Sequence, residues 1–212
     1  MSTLLLQLET CENLANAIAQ FWWSLNLPKR DIHWVKWENL SKPRGDGGIG
    51  FKMIHKFNLA LLGKQLWRLV QYPDSLVARV LKGKYFRCST PLRLNKADRH
   101  SYGWTSIMVA KPLMMLGIRQ KVHSGNEIRA WEDHWKPTIP ARPVRPLAPV
   151  VHPMTSVRDL MTCNPKTWNS EVLENYVDPE DIPLIQSLAI SQGYQRDKYC
   201  WNYTKNGMYT VK

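Results

Sequence analysis

The sequence has little cysteine: Cys11, Cys88, Cys163 and Cys200 lie far apart among 212 residues, and no two form a Cys-x-x-Cys pair. A disulfide framework is thereby excluded, and no spacing suits a structural zinc site. The four are expected to be reduced, mostly buried thiols of an intracellular protein. No apolar run approaches the ~18 residues of a membrane-spanning helix, so no membrane partner is expected. Residues 1–28 contain neither Lys nor Arg, which removes the cationic start of a secretory signal and the Arg-rich face of a transit peptide. There is no Asp-Asp pair, Walker loop, nucleophile elbow or His-Glu-x-x-His. Two-metal polymerase chemistry needs clustered carboxylates. The expectation is therefore no catalysis, no metal, no cofactor and no small-molecule substrate.

What is present is positive charge and tryptophan. Lys and Arg number 29 against 17 Asp and Glu, a net charge of +12, and there are ten Trp. The charge is concentrated. Residues 29–121 carry 19 bases and five acids, whereas residues 122–212 carry ten of each sign. Such an asymmetry favours an anionic partner, nucleic acid first.

The patterning predicts an α+β chain that is mainly α. Leu14, Ala17, Ile18, Phe21 and Trp22 recur at helical spacing and should form the inward stripe of a first helix. Asp31 is placed to cap a short helix bearing Trp34 and Trp37. Pro43–Gly50 must be loop. A long helix is expected over residues 52–71, with Ile54, Asn58, Leu61, Leu62, Gln65 and Leu69 on one side. Pro73 and Asp74 break it, and residues 75–86 restart with Leu76, Val77, Val80 and Leu81 inward. A further helix should run from Ser101 or Tyr102 to Met115 and stop at Gly117. Beyond it, residues 118–122 and 127–132 flank His123-Ser124-Gly125-Asn126 as a β-hairpin. Residues 137–153, with six prolines, read as an extended linker. Short helices follow near 157–161, 168–175 and 181–189, and Asn206-Gly207 should turn a terminal hairpin of residues 199–204 and 208–212. The expected division is 1–117, helical and basic; 118–136, hairpin; 137–153, linker; and 154–212, small α+β.

Lys52, Lys56, Lys64 and Arg68 fall at multiples of four and should form a basic ridge opposite the apolar stripe. A ridge of this kind can follow phosphates with sequence-independent, salt-dependent affinity. Lys36, Arg79, Lys82, Lys84 and Arg87 belong to the same basic block and complete the candidate nucleic-acid-binding set. Of the six tryptophans interleaved with these bases (Trp22, Trp23, Trp34, Trp37, Trp67 and Trp104), at most one or two are expected to face a nucleic acid for stacking and the rest to be core. Gly45-Asp46-Gly47-Gly48-Ile49-Gly50 satisfies G-x-G-x-x-G but follows Ser41-Lys42-Pro43-Arg44 rather than a buried strand, so it reads as a tight linker. The six histidines are scattered singly.

Longer stretches carry a resemblance. Phe21-Trp22-Trp23-Ser24, Ile32-His33-Trp34-Val35-Lys36-Trp37 and Pro43–Phe51 occur in order. Phe57-Asn58, Leu61-Leu62-Gly63-Lys64-Gln65, Trp67-Arg68-Leu69 and Lys84-Tyr85-Phe86 follow, then Ser101-Tyr102, Trp104, Gly125-Asn126, Trp131, Asp133 and Trp135. This series resembles the region after the polymerase core in reverse transcriptases of plant LINE-type (non-LTR) retrotransposons, and the truncated frames related to them in plant mitochondrial genomes. Asp197, Trp201, Tyr203 and residues 205–212 look like the opening of the zinc-binding domain that closes those polyproteins.

The resemblance implies a thumb-like helical part, followed by a small hairpin-containing connecting region, that cradles RNA or an RNA–DNA hybrid. The palm and its carboxylates would precede residue 1, and the zinc ligands would follow Lys212. Where the family has a Gly-x-Gly turn, this chain has Gly125-Asn126-Glu127. The expected protein is thus a non-catalytic reverse-transcriptase fragment with residual binding to nucleic-acid backbones, located in nucleus or cytoplasm, or in mitochondria if organelle-encoded. The alternatives are a protein-interaction module using exposed Trp surfaces, and an unexpressed relic.

Overall fold

Small residues line the inner side of the first helix, α1 (Leu8–Trp23), in the computed structural model, which describes residues 3–24, 35–94, 101–148, 156–191 and 195–211. Cys11 and Ala19 are buried and Ala15 half-buried, while Leu14, Ala17 and Phe21 are exposed. The helix covers residues 14–23 as the spacing put it and starts six residues earlier; of the expected inward stripe Ile18 is half-buried, whereas Leu14, Ala17, Phe21 and Trp22 are exposed.

The chain divides into two compact units. The first holds the residues up to Arg68 together with Val80–Lys111; the second holds Leu69–Arg79 and Pro112–Thr210.

In the first unit, α2 (Trp37–Leu40) leads into the glycine loop. The expected capping by Asp31 and the position of Trp34 lie outside the described residues. The backbone N–H groups of Ile49, Gly50 and Phe51 all donate to Leu40 O, at 3.0, 3.1 and 3.3 Å. This folding-back needs left-handed backbone at Gly47 (φ +80°) and Gly50 (φ +85°). Helix α3 (Ile54–Gln71) follows, with Leu62, Leu66 and Trp67 almost fully buried. Asn58, also fully buried, is satisfied by the N-terminal segment: its Nδ2 donates to Leu4 O at 3.0 Å and its Oδ1 accepts from Leu6 N at 2.9 Å. In α4 (Leu76–Tyr85) only Ala78 is buried, and Leu76, Val77 and Val80 are exposed, against the expectation that they point inward.

The single helix expected over residues 101–115 is two, α5 (Tyr102–Val109) and α6 (Lys111–Gly117). Pro112 explains the break, because it has no N–H to give a preceding turn and is tolerated only at a helix start. Ser101 caps α5 by accepting from Trp104 N at 3.3 Å.

The second unit contains the only sheet among the described residues. Strand β1 (Ile118–Lys121) pairs antiparallel with β2 (Lys198–Trp201), in the register Ile118↔Trp201, Arg119↔Cys200, Gln120↔Tyr199 and Lys121↔Lys198. The expected hairpin between residues 118–122 and 127–132 does not form. Its turn is committed elsewhere: Asp197 accepts from His123 N at 2.7 Å, Gly125 N at 3.0 Å, Glu127 N at 3.2 Å and Ser124 Oγ at 3.0 Å. The overall class remains α+β, mainly α.

Within the stretch expected to be linker, the described residues 137–148 are packed: Ala141 and Val144 are buried, and Pro146 bridges to Val177. The core of this unit is formed by Val122, Ile128, Trp135, Leu160, Leu173 and Ile185 with their neighbours. Each of these large side chains contributes about 1.5–3 kcal/mol by burial. A 3-10 turn over Val157–Leu160, α7 (Ser170–Tyr176) and α8 (Ile182–Gln186) stand close to where the three short helices were expected. At the C-terminus Gly207 (φ +68°) turns the chain and Trp201 N donates to its carbonyl at 2.7 Å. The described residues 208–211 form no strand, so the expected terminal hairpin is limited to this one bond from β2 to the turn.

Candidate nucleic-acid interface

Helix α3 carries the best-defined cationic face. Lys56, Lys64 and Arg68 are all exposed, as is Lys52 just ahead of the helix. At 100° per residue the three helical cations spread over about 120° of circumference and about 18 Å of length. Asn58, Leu62, Leu66 and Leu69 occupy the opposite, buried side. None of the four cations forms an ion pair among the described residues.

The remaining candidates are distributed. Lys82 and Lys84 lie in the last turn of α4, where they also complement the helix dipole, and Arg87 follows it with Nε donating to Gly83 O at 2.7 Å. Lys84 Nζ stands 5.2 Å from the centre of the Tyr85 ring. Lys36 is exposed just before α2, and Arg79 is exposed but belongs to the second unit.

The aromatic residues between these bases are mostly structural. Trp67 and Trp104 are 2% exposed, and Trp104 stacks on Tyr85 (4.8 Å, 5°) and Phe86 (5.6 Å, 18°). Trp37 stacks on Phe51 at 4.9 Å, and Trp22 meets the same ring edge-on at 5.1 Å. Trp22, 45% exposed, is the one exposed member of the six among the described residues.

No group of three or more His, Cys, Asp or Glu side chains among the described residues is arranged to hold a metal ion. The thiols are all free, but only Cys11 is buried. Cys88 and Cys163 are exposed and Cys200 is half-buried, which corrects the expectation of mostly buried cysteines. Burial, with Glu12 nearby, pushes the Cys11 thiol up, away from the reactive thiolate. Burial lowers the pKa of His134, against the pull of Asp133.

One cationic surface was not foreseen from the sequence. Register places Lys121 directly opposite Lys198, residues 77 positions apart, the second of them in the electroneutral end of the chain. Only strand pairing reveals it.

No protein-family model matches the chain, and no solved structure matches it. Two curated plant proteins do, both from Arabidopsis thaliana. A putative ribonuclease H protein, At1g65750, is 25% identical over 219 aligned residues that take in all of this chain but only 35% of that protein, so the chain spans about a third of its length. The uncharacterized mitochondrial protein AtMg00310 is 37% identical over 126 residues, 59% of this chain and 82% of that protein. The pair is consistent with a plant retroelement-derived reading frame, and the mitochondrial relative is compatible with a mitochondrial location. No helix among the described residues is long and apolar enough to cross a membrane. On that extent of identity, the chain belongs to the family of the mitochondrial protein AtMg00310.

Proposed function

We propose that this chain is a non-catalytic part of a plant LINE-type reverse transcriptase, and that what it retains is sequence-independent binding to the backbone of RNA or an RNA–DNA hybrid. The observation that carries the reading is the set of exposed cations Lys56, Lys64 and Arg68 on α3, with Lys52 just ahead of it, none of which forms an ion pair among the described residues. A helix face with several bases and no paired carboxylate exchanges condensed counterions for phosphates on binding. The absence of any Asp-Asp pair in the sequence favours a binding role over polymerisation.

The test is a titration of single-stranded RNA against rising salt. The apparent affinity should fall linearly with log salt, and Lys64→Ala with Arg68→Ala should flatten the slope by about 1.4, two contacts at about 0.7 each. Affinity indifferent to salt would rule the reading out. A second reading, a protein-interaction surface, draws on the adjacent exposure of Phe21 (81%) and Trp22 (45%) on α1. It predicts salt-insensitive association and concentration-dependent oligomers instead. An unexpressed relic would yield no peptide of this chain in extracts under any growth condition.

A further inference from the structure

The cross-strand pair Lys121↔Lys198 is an arrangement that folding alone disfavours. Residues directly opposite on an antiparallel pair have Cβ atoms about 4.5–5.5 Å apart, and like charges there are destabilising. Both side chains are exposed, and neither has an ion-pair partner among the described residues. Alternation along β1 puts Arg119 on the same face as Lys121. Arg119 is half-buried, and its Nε is buried with no hydrogen-bond partner among the described residues.

Beyond the strand, His123 is half-buried, with Nδ1 likewise buried and without a hydrogen-bond partner among the described residues. Burial first, then Lys121, Lys198 and Lys166, push its pKa down, and Asp197 alone pushes the other way. The field at this face is therefore net cationic. The carboxylates next to it are already engaged: Asp197 accepts four hydrogen bonds from residues 123–127, and Glu127 accepts from Arg196 Nε at 2.7 Å. Lys166 is held in place by the carbonyls of His123 and Ser191.

We propose that Arg119, Lys121 and Lys198 form a second phosphate-contact site, on the outer face of the two-stranded sheet, that takes the phosphodiester backbone of a nucleic acid. A phosphate lying between the two lysines relieves their repulsion, and the Arg119 guanidinium adds directed donors. The site lies wholly within the second unit and contains none of the α3 cations. It rests on the nucleic-acid reading above but does not use that reading's residues.

The experiment compares three full-length proteins in a salt titration with a single-stranded RNA oligomer: wild type, K121Q with K198Q, and K64A with R68A. Thermal unfolding without RNA is measured alongside. The sheet variant should bind several-fold more weakly at low salt, with a salt slope shallower by about 1.4. It should also unfold about 1–3 °C higher than wild type, because a repulsive pair has been removed. Weaker binding with higher stability is a combination that a merely structural role for these lysines would not give. If the sheet variant keeps the wild-type slope while the α3 variant loses it, the second site is wrong and the α3 reading stands. If only the sheet variant loses it, this site stands and α3 is wrong. Binding that is absent or unaffected by salt in wild type overturns both.

Discussion

Arg142 meets Asp181 with both prongs of its guanidinium: Nη2 donates to Oδ1 at 2.6 Å and Nη1 to Oδ2 at 3.0 Å. Lys136 Nζ donates to the same Oδ1, and Arg145 N reaches Oδ2 at 3.0 Å. The side chains of Asp181 and Lys136 are 0% and 4% exposed, so neither charge has water to fall back on. Removing one partner of such a pair leaves the other buried and uncompensated. Asp181→Ala should therefore cost about 3–5 kcal/mol of stability, read as a large drop in the urea midpoint. A loss below about 1 kcal/mol would mean the cluster is solvated in solution.

Acid should weaken the fold in two steps. Burial lowers the pKa of His134, with Asp133 opposing, and that of His123. The unfolded chain therefore takes up protons near pH 6.5 that the folded chain resists, and stability falls as pH drops below about 6.5. At Asp181 burial raises the pKa, but the bonds from Arg142, Lys136 and the Arg145 backbone outweigh it and hold the carboxyl below its usual value. Its contribution is full above about pH 4 and is lost as pH falls through the lower folded value. Urea midpoints from pH 8 to 3 should show both windows. His134→Gln should shrink the upper one only, and Asp181→Asn the lower one only.

Element positions were legible in the sequence wherever a chain-local cause sets them. Pro73, the glycine loop and the periodicity of residues 54–71 gave α3 and its flanks within two residues. The exposed cations on α3 follow from the same local arithmetic. Faces were less legible, because in α1 and α4 the buried residues are Cys11, Ala19 and Ala78 rather than the larger Leu14, Phe21, Leu76 and Val80. Hydrophobic size does not report how closely two backbones approach. Strand partners were illegible for a different reason. The hairpin pattern at residues 118–132 is a local signal, and Asp197, some 70 positions away, overrides it by taking the N–H groups that the turn would need.

Gly125 should tolerate no side chain. Its φ is +77°, and a Cβ would lie 2.8 Å from Arg158 N, whose own N–H donates to Gly125 O at 3.1 Å. Gly125→Ala combines backbone strain with a clash against another backbone, worth about 2–4 kcal/mol together. Asn, which accepts left-handed backbone more readily than Ala, should do no better, because the clash arises at Cβ. Equal losses for Ala and Asn in denaturant titrations would separate the clash from the dihedral preference.

Asp197 ties residues 195–210 to the rest of the second unit, so this segment should behave as part of that unit rather than as the start of another domain. Its Oδ1 accepts from His123 N and Gly125 N, and its Oδ2 from Ser124 Oγ and Glu127 N. Asp197→Ala strands these donors at the cost of about 1–3 kcal/mol, less where water can replace the acceptor. Asp197→Asn keeps the Oδ1 pair but turns an amide donor toward Glu127 N; the Ser124 hydroxyl can reverse and accept. Its loss should fall between wild type and Ala. The same order should appear in trypsin cleavage at Arg196 and Lys198, slowest in wild type and fastest in Ala, because β2 must leave β1 before either bond reaches the protease. Cleavage at one rate in all three proteins would show that the carboxylate does not hold the strand.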